Sequence, residues 1–508
     1  MPDAPFDLDA VFAWVDAHAD ECIADLQELV RQPSVSAQGI GLDACAELVL
    51  QQMRRDGLQA DAHPLDGGPP VIFGHMTTPR SSKTMMCYSH YDVQPPEPLE
   101  AWSHGGPWSA AIVDGVMYGR GVTDNKSGIL AFNKAAKALL ATHGELPVNL
   151  KFLCEGEEEI GSLHLGPWVE RNMALLEADG MHCLDGPMDT ATELPDVDLG
   201  LKSVLFIELV ARGANADIHS LNFPLVPTPV WDLVRALNTI MDDRRRILIE
   251  GWTEGLYELQ PEDWTELEEK AARVDTEAMK REWGIAEFAL GRDGIEAHRA
   301  RAYEPTANIA GLVAGYTGKG SKTIVPNEAR AKMDFRLIPH MRQEEAIGKL
   351  RAHLDRHGFG HIDIVSEERA EPPYKISAKE PMAQAVIAAA TRVYGERPIV
   401  NGVSAEGTIL RHVWIPCVLT GFANPGANLH APDENVTIES YLKGIKYAAA
   451  IMCEFGGAEF ACGSGSAGTA VGIGGAEFAC GSGSAGTAVP SGSAEPSMPT
   501  PAGPARRD

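Results

Sequence analysis

Apolar residues recur at helical spacing over 8–32 (LDAVFAWVDAHADECIADLQELVRQ) and 42–56, while VIFGHM and KTMMCYSHYD read as strands. A long helix is expected over 127–142. It is followed by VNLKFLCEGEEE, an apolar strand ending in acids, and by a strand at MHCLDG. Strand–helix alternation of this kind points to an α/β sheet covered by helices, with its polar residues just past the strand ends, where open sheets place their sites. From 199 to 213 the pattern changes: LGLKSVLFIELVARG alternates like a half-exposed strand. Charged helices at 228–242 and 263–281, the strand EARAKMDFRLIP and a helix at 341–357 follow, which together read as an α+β insertion. The α/β pattern returns with a helix at 378–395, a strand in WIPCVLTGF and the closing helix IESYLKGIKYAAAIMCEF. The expected organisation is a mixed-sheet α/β domain formed by 1–196 and 374–454, interrupted by an α+β domain at 197–373.

The remaining segment, 455–508, has another character. GGAEFACGSGSAGTAV stands at 456–471 and again at 474–489, and Gly, Ser, Ala and Pro dominate. Too little apolar area is available there to offset the entropy of ordering, so a disordered tail is expected. The 508 residues include 43 basic and 71 acidic ones, a net charge of −28. That balance argues against nucleic acid and gives no reason to expect an anionic membrane as partner. No apolar run is long enough to span a bilayer, and the first 20 residues, with five Asp and no basic start, do not read as a secretory signal. Nine scattered cysteines without a CxxC pair suit free thiols in a reducing cytoplasm, the expected location.

Five short clusters carry candidate chemistry. SHYDVQP holds His90 and Asp92, and Asp92 could accept a hydrogen bond from the second ring nitrogen of His90. YGRGVTDNKSG sets Asp124 in a glycine-rich turn that matches neither phosphate-loop pattern. CEGEEEIGS packs Glu155, Glu157, Glu158 and Glu159 after an apolar strand. Such a run is either a solvated acidic loop or a set of charges neutralised by cations at the mouth of a sheet. Asp185 ends the strand in MHCLDGP, and His430 lies in the loop GANLHAPDENV. Two imidazoles and three carboxylates make a donor set suited to zinc, cobalt or manganese.

SHYDVQP, GRGVTDNKSG, EGEEEIGS and NLHAPDEN, in this order, resemble the motifs of the M20 family of co-catalytic metallopeptidases, particularly its carnosinase-like and cysteinylglycine-dipeptidase branch. ADIHS and GKGSKTIVPNEARAKMDFRLIP strengthen the resemblance, which covers about residues 10–452. It implies two divalent ions per subunit, most simply Zn2+. His90 and Asp185 would hold one ion, His430 and Glu159 the other, and Asp124 would bridge them. Glu158 would be the general base and then acid, and Asp92 would orient His90. The insert would be a dimerising lid whose His219 reaches the partner's site. Arg336 would clamp the substrate's terminal carboxylate, with Asn308 and Thr408 as further polar lining. An exposed apolar edge at LKSVLFIELV is expected to pair with a second copy.

Two departures from the family pattern bear on substrate. DIHSLNFPLVP carries Leu221 and Phe223 in place of small residues, and Ala405-Glu406-Gly407-Thr408 stands where relatives have a Gly-Gly-Ser or Gly-Gly-Thr loop. The implied activity is hydrolysis of dipeptides or similarly small amides with a free leaving-side carboxylate. The alternative is an amidohydrolase acting on an N-acyl amino acid or another small, even aromatic, amide.

Overall fold

The computed structural model describes residues 5–190, 192–366, 372–404 and 415–457. Its main sheet has eight strands, in the order Gln59–His63, Val71–Met76, Asn149–Glu155, Thr84–His90, Gly180–Leu184, Cys417–Thr420, Asp196–Asp198 and Ile399–Asn401. Asn149–Glu155, Thr84–His90, Gly180–Leu184 and Cys417–Thr420 run parallel, Val71–Met76 runs against both its neighbours, and Asp196–Asp198 runs against Cys417–Thr420 but parallel to Ile399–Asn401. This is the expected mixed sheet, assembled from chain on both sides of the insert.

Both sheet faces are covered, which explains the nearly continuous apolar strands. Met85 and Cys87 enter the larger core with the helices Leu8–Ala17, Ala19–Arg31, Ser127–His143, Pro381–Tyr394 and Ile438–Gly456. Met86 and Tyr88, alternating with them, face a second cluster around Leu165, Trp168 and Val169. The helix expected over 8–32 is two helices, because His18 takes a non-helical backbone and its Nδ1 lies 2.8 Å from the Trp14 carbonyl oxygen. The one expected over 263–281 also divides, into Pro261–Arg273 and Thr276–Trp283, with the Asp275 carboxylate accepting from the Glu277 amide at the new start.

The insert is α+β. Its antiparallel sheet has the order Thr306–Ala314, Glu328–Leu337, Ser203–Arg212, Asp363–Ser366, and the helices Pro229–Ile240 and Gln343–Arg356 cover one face through a separate core. The expected boundary at 196/197 falls inside Asp196–Asp198, a strand of the main sheet, and Gly200–Leu201 pairs with Tyr374–Lys375 where the chain leaves and re-enters. The free edge expected at LKSVLFIELV is corrected. Ser203–Arg212 is bonded on both sides, and the edges of this sheet among the described residues are Thr306–Ala314 and Asp363–Ser366. Its alternation arises from one bare face, with Leu205 buried and Phe206 54% exposed.

Candidate active site

Three adjacent parallel strands end together. His90 is the last residue of Thr84–His90 and stands opposite Glu155, and Asp185 follows Gly180–Leu184 directly. Asp124 reaches the same place from the turn before Ser127–His143. That helix sits close because Gly128 has no side chain; a Cβ there would lie 2.3 Å from the Leu184 carbonyl oxygen. His430 arrives from the far side of the insert, in left-handed backbone (φ +56°) that a non-glycine residue adopts at some cost in energy.

The side chains converge. Asp124 Oδ1 is 3.0 Å from His90 Nε2, and its other oxygen is 2.9 Å from His430 Nε2. His90 Nε2 also lies 3.4 Å from Asp185, and His430 Nε2 lies 3.3 Å from Glu159. Two triads result, His90–Asp124–Asp185 and Asp124–Glu159–His430, each with its donor atoms within 4.8 Å of one another and with Asp124 in both. His90 Nε2 is buried between the Asp124 and Asp185 carboxylates, where an unprotonated ring nitrogen would be a donor to a cation. Imidazole and carboxylate donors in two groups sharing one bridge fit a pair of divalent ions.

Around this cluster the protein fixes each donor. His90 Nδ1 lies 3.1 Å from the Asp92 carbonyl oxygen and 3.4 Å from its carboxylate. That carboxylate accepts from the amides of Glu158 and Glu159 at 3.2 and 3.1 Å, so one buried Asp ties the imidazole to the acidic turn. Glu159 accepts from the Gln94 amide and side chain at 3.0 and 2.9 Å. The dense run of acids separates into distinct settings. Glu155 takes hydrogen bonds from Tyr88 and Ser162, Glu157 pairs with His164, and Glu158 and Glu159 face the cluster. In the protein alone, burial pushes the Glu158 carboxyl well above its ordinary range. The charges of Asp124, Asp185 and Glu159 add to this, and His90 opposes it. Burial likewise raises Asp185, with Asp124 adding to the effect.

Glu434 was not singled out from the sequence. It is 1% exposed, and its carboxylate accepts from the amides of Gly121, Thr123 and Asp124 at 2.9, 3.0 and 3.1 Å and from Arg120 at 2.7 Å. It therefore holds the Asp124 turn against the His430 loop. Its proximity to His430 in LHAPDE is the signal that could have found it.

None of the residues expected from the insert belongs to either triad within one chain. His219 is exposed on Ile218–His219, with Nδ1 accepting from the Leu221 amide at 3.1 Å and Nε2 3.5 Å from Thr323 Oγ1, a neighbour the sequence reading also missed. Asn308 is exposed and donates to Asp334 at 2.8 Å. Arg336 is half-buried on Glu328–Leu337, opposite Val204 and Thr306. Leu221 and Phe223 are 81% and 49% exposed. Thr408 and Glu406 lie outside the described residues.

Comparison with known proteins agrees with the geometry. The model of peptidase family M20/M25/M40 matches residues 86–454. The chain is 26% identical to the human Beta-Ala-His dipeptidase over 88% of its own length and 92% of that protein. It is 27% identical to the Cys-Gly metallodipeptidase dug1 of Schizosaccharomyces pombe over 86% and 96%. Among solved structures, an M20 family metallo-carboxypeptidase from Sulfolobus solfataricus superposes with a TM-score of 0.77 at 34% identity, covering 86% of this chain and 99% of that one. With sheet order, donor cluster and family match in agreement, the chain belongs to peptidase family M20/M25/M40.

Proposed function

We propose that the protein hydrolyses dipeptides, and amides of comparable size, that carry a free carboxylate on the leaving side. The observation that carries this reading is the pair of triads sharing Asp124, with the half-buried Glu158 carboxyl beside them. His90 and Asp185 would hold one divalent ion, Glu159 and His430 the other, and Asp124 both; zinc suits the donors, with manganese and cobalt next. Ions bound there supply Lewis acidity, lowering the pKa of water and polarising a carbonyl.

The chain's own residues do the rest. Glu158 accepts a proton at its carboxylate from the attacking water and delivers it to the departing amine nitrogen. Asp92 keeps the His90 ring and the backbone of Glu158 and Glu159 in one frame. Arg336 would bind the substrate carboxylate through a charge-assisted contact. Dipeptidases and a metallo-carboxypeptidase among the relatives support a peptide substrate.

The active unit in this reading is a homodimer through the insert, with His219 acting across it. The edge strand Thr306–Ala314 exposes Ile309, Leu312 and Val313 at 47, 55 and 66%, which supports pairing with a second copy. A cytoplasmic setting is supported by the seven described cysteines, all free and buried. No described helix is long and apolar enough to cross a membrane. The test is product release by zinc-loaded and chelated protein from dipeptides, their C-terminal amides and N-acyl amino acids. Dipeptides should be cleaved fastest, only with metal, and the amides poorly. Preferential cleavage of N-acyl amino acids would transfer the assignment to the amidohydrolase alternative.

A further inference from the structure

A cavity of about 430 Å³ extends from Asp185 and Gly186 to the helices Pro261–Arg273 and Gly294–Tyr303 of the insert, within the ~300–1,000 Å³ range of small-molecule sites. Three of its side chains hold buried polar atoms without a hydrogen-bond partner: Glu266, His298 and Ser404. Glu266 is 5% exposed and neither carboxylate oxygen has a hydrogen bond; His298 is 3% exposed and its Nε2 has none. Buried polar atoms are ordinarily satisfied, and an unpaired carboxylate is the costliest exception.

The neighbouring donors are already committed. Asp263, one turn earlier on the same helix, takes Lys375 at 2.8 Å, Tyr257 at 2.7 Å and Tyr303 at 3.2 Å, leaving Glu266 without any of them. Lys270 donates to Asn401 Oδ1, whose side-chain nitrogen in turn serves Asp196 and Asp198. The close fit is specific to this backbone. A Cβ on Gly402 would fall 1.7 Å from the Tyr303 hydroxyl and 3.4 Å from Glu266 Oε2.

We propose that this cavity is a subsite for a positively charged, hydrogen-bond-donating group of a small ligand, an ammonium or guanidinium, with Glu266 as its buried counter-charge. Where that group belongs to the substrate, the inference deepens the dipeptidase reading and rests on it. Burial lowers the His298 pKa to about 4, so its imidazole is neutral near pH 7, and raises the Glu266 carboxyl to about 7, so an incoming cation would draw that carboxyl into its charged, accepting form. Asp189, Asp196 and Asp198 line the same cavity, so acids outnumber its two cations, Lys270 and Arg301. A metal ion is the poorer occupant, since Glu266 belongs to none of the described groups of three donors close enough to hold one. Asp185 belongs both to this cavity and to the metal cluster, so a substrate held at the ions can place a side chain here.

The experiment compares kcat/KM for Lys-Ala and Ala-Lys with their norleucine counterparts, which keep the four-carbon side chain and lose the charged nitrogen. Alongside, calorimetry measures n-butylammonium binding to the metal-loaded protein. Wild type, Glu266→Gln and, as a rim variant, Asp196→Asn are compared after their melting curves confirm folding. At one of the two positions lysine should lead norleucine by about tenfold or more, and Glu266→Gln should reduce that ratio to about threefold or less. Glu266-dependent binding of n-butylammonium without lysine preference assigns the same site to a free amine instead of a substrate side chain. If no dipeptide is cleaved while that binding persists, the dipeptidase reading fails and the cavity assignment stands. Absence of both lysine preference and n-butylammonium binding, or equal values in wild type and both variants, overturns the proposal.

Discussion

Glu434→Gln changes one oxygen to an amide nitrogen and should disable both metal triads from a distance. The carboxylate divides its donors, with Gly121 N and Arg120 Nη1 on Oε2 and Thr123 N and Asp124 N on Oε1. A glutamine can satisfy only one of these pairs, whichever way its amide is turned, and it presents an NH2 group to the other two donors. Arg120 is 1% exposed, so its guanidinium would also lose its buried counter-charge. Removing one partner of a buried ion pair costs about 3–5 kcal/mol, a range that already includes stranding the other charge. Replacing Arg120 as well would not restore full stability, because either the Gly121 amide or the Thr123 and Asp124 amides would still lack an acceptor, at about 1–3 kcal/mol each. Urea denaturation should therefore show Glu434→Gln less stable by about 3–5 kcal/mol, and metal analysis should find both ions depleted, since the turn it anchors carries the shared Asp124. A loss below ~1 kcal/mol with two ions retained would refute this account of the turn.

Other outcomes follow from the same geometry. Glu158→Gln should keep its metal content while kcat falls by about 10²–10⁴-fold; full activity with metal confirmed would remove Glu158 from proton transfer. Mixed dimers of His219→Ala and Glu158→Gln, each nearly inactive alone, should recover up to about half of native activity per heterodimer, and verified subunit exchange without recovery would rule out a role across the interface. His182 is buried, and burial lowers its pKa to about 3, so the unfolded chain binds a proton more readily from about pH 6.5 downward. Stability from this group is present above that value and is lost as pH falls toward 3, so wild type should lose about 2 kcal/mol more than His182→Gln between pH 7.5 and 5. Parallel stability–pH curves would contradict it.

The candidate metal donors were legible because each sits beside a strong local signal: His90 and Asp185 at the ends of apolar strands, Asp124 among glycines, Glu159 in a run of acids, and His430 in a Gly/Pro/Asn loop. Glu434 was not, since an acid in a polar loop looks the same in sequence whether it faces water or four donors. The strand Thr306–Ala314 escaped notice because alanines, a glycine and a register shift between Ile309 and Gly311 weaken its alternation. The misplaced edge has a related cause. Alternation reports that one face of a strand is bare, and a central strand with an uncovered face gives the same pattern as an edge. Arg336 and His219 drew their assigned roles from resemblance to relatives, and within one chain no described hydrogen bond joins His219 to the metal cluster.

The order of strands has a consequence for how the protein is made. Cys417–Thr420 lies between Gly180–Leu184 and Asp196–Asp198, so the sheet begun by the first part of the chain stays divided until a strand from beyond the whole insert arrives. During synthesis, two raw strand edges wait while the insert, with its own core, is free to fold first. Closing so long a loop costs only slowly more entropy with length, yet non-local pairing of this kind delays folding. A nascent chain stalled before residue 417 would carry four of the five candidate metal donors on a sheet with a missing rung, prone to stick to its neighbours and without His430 to complete the site.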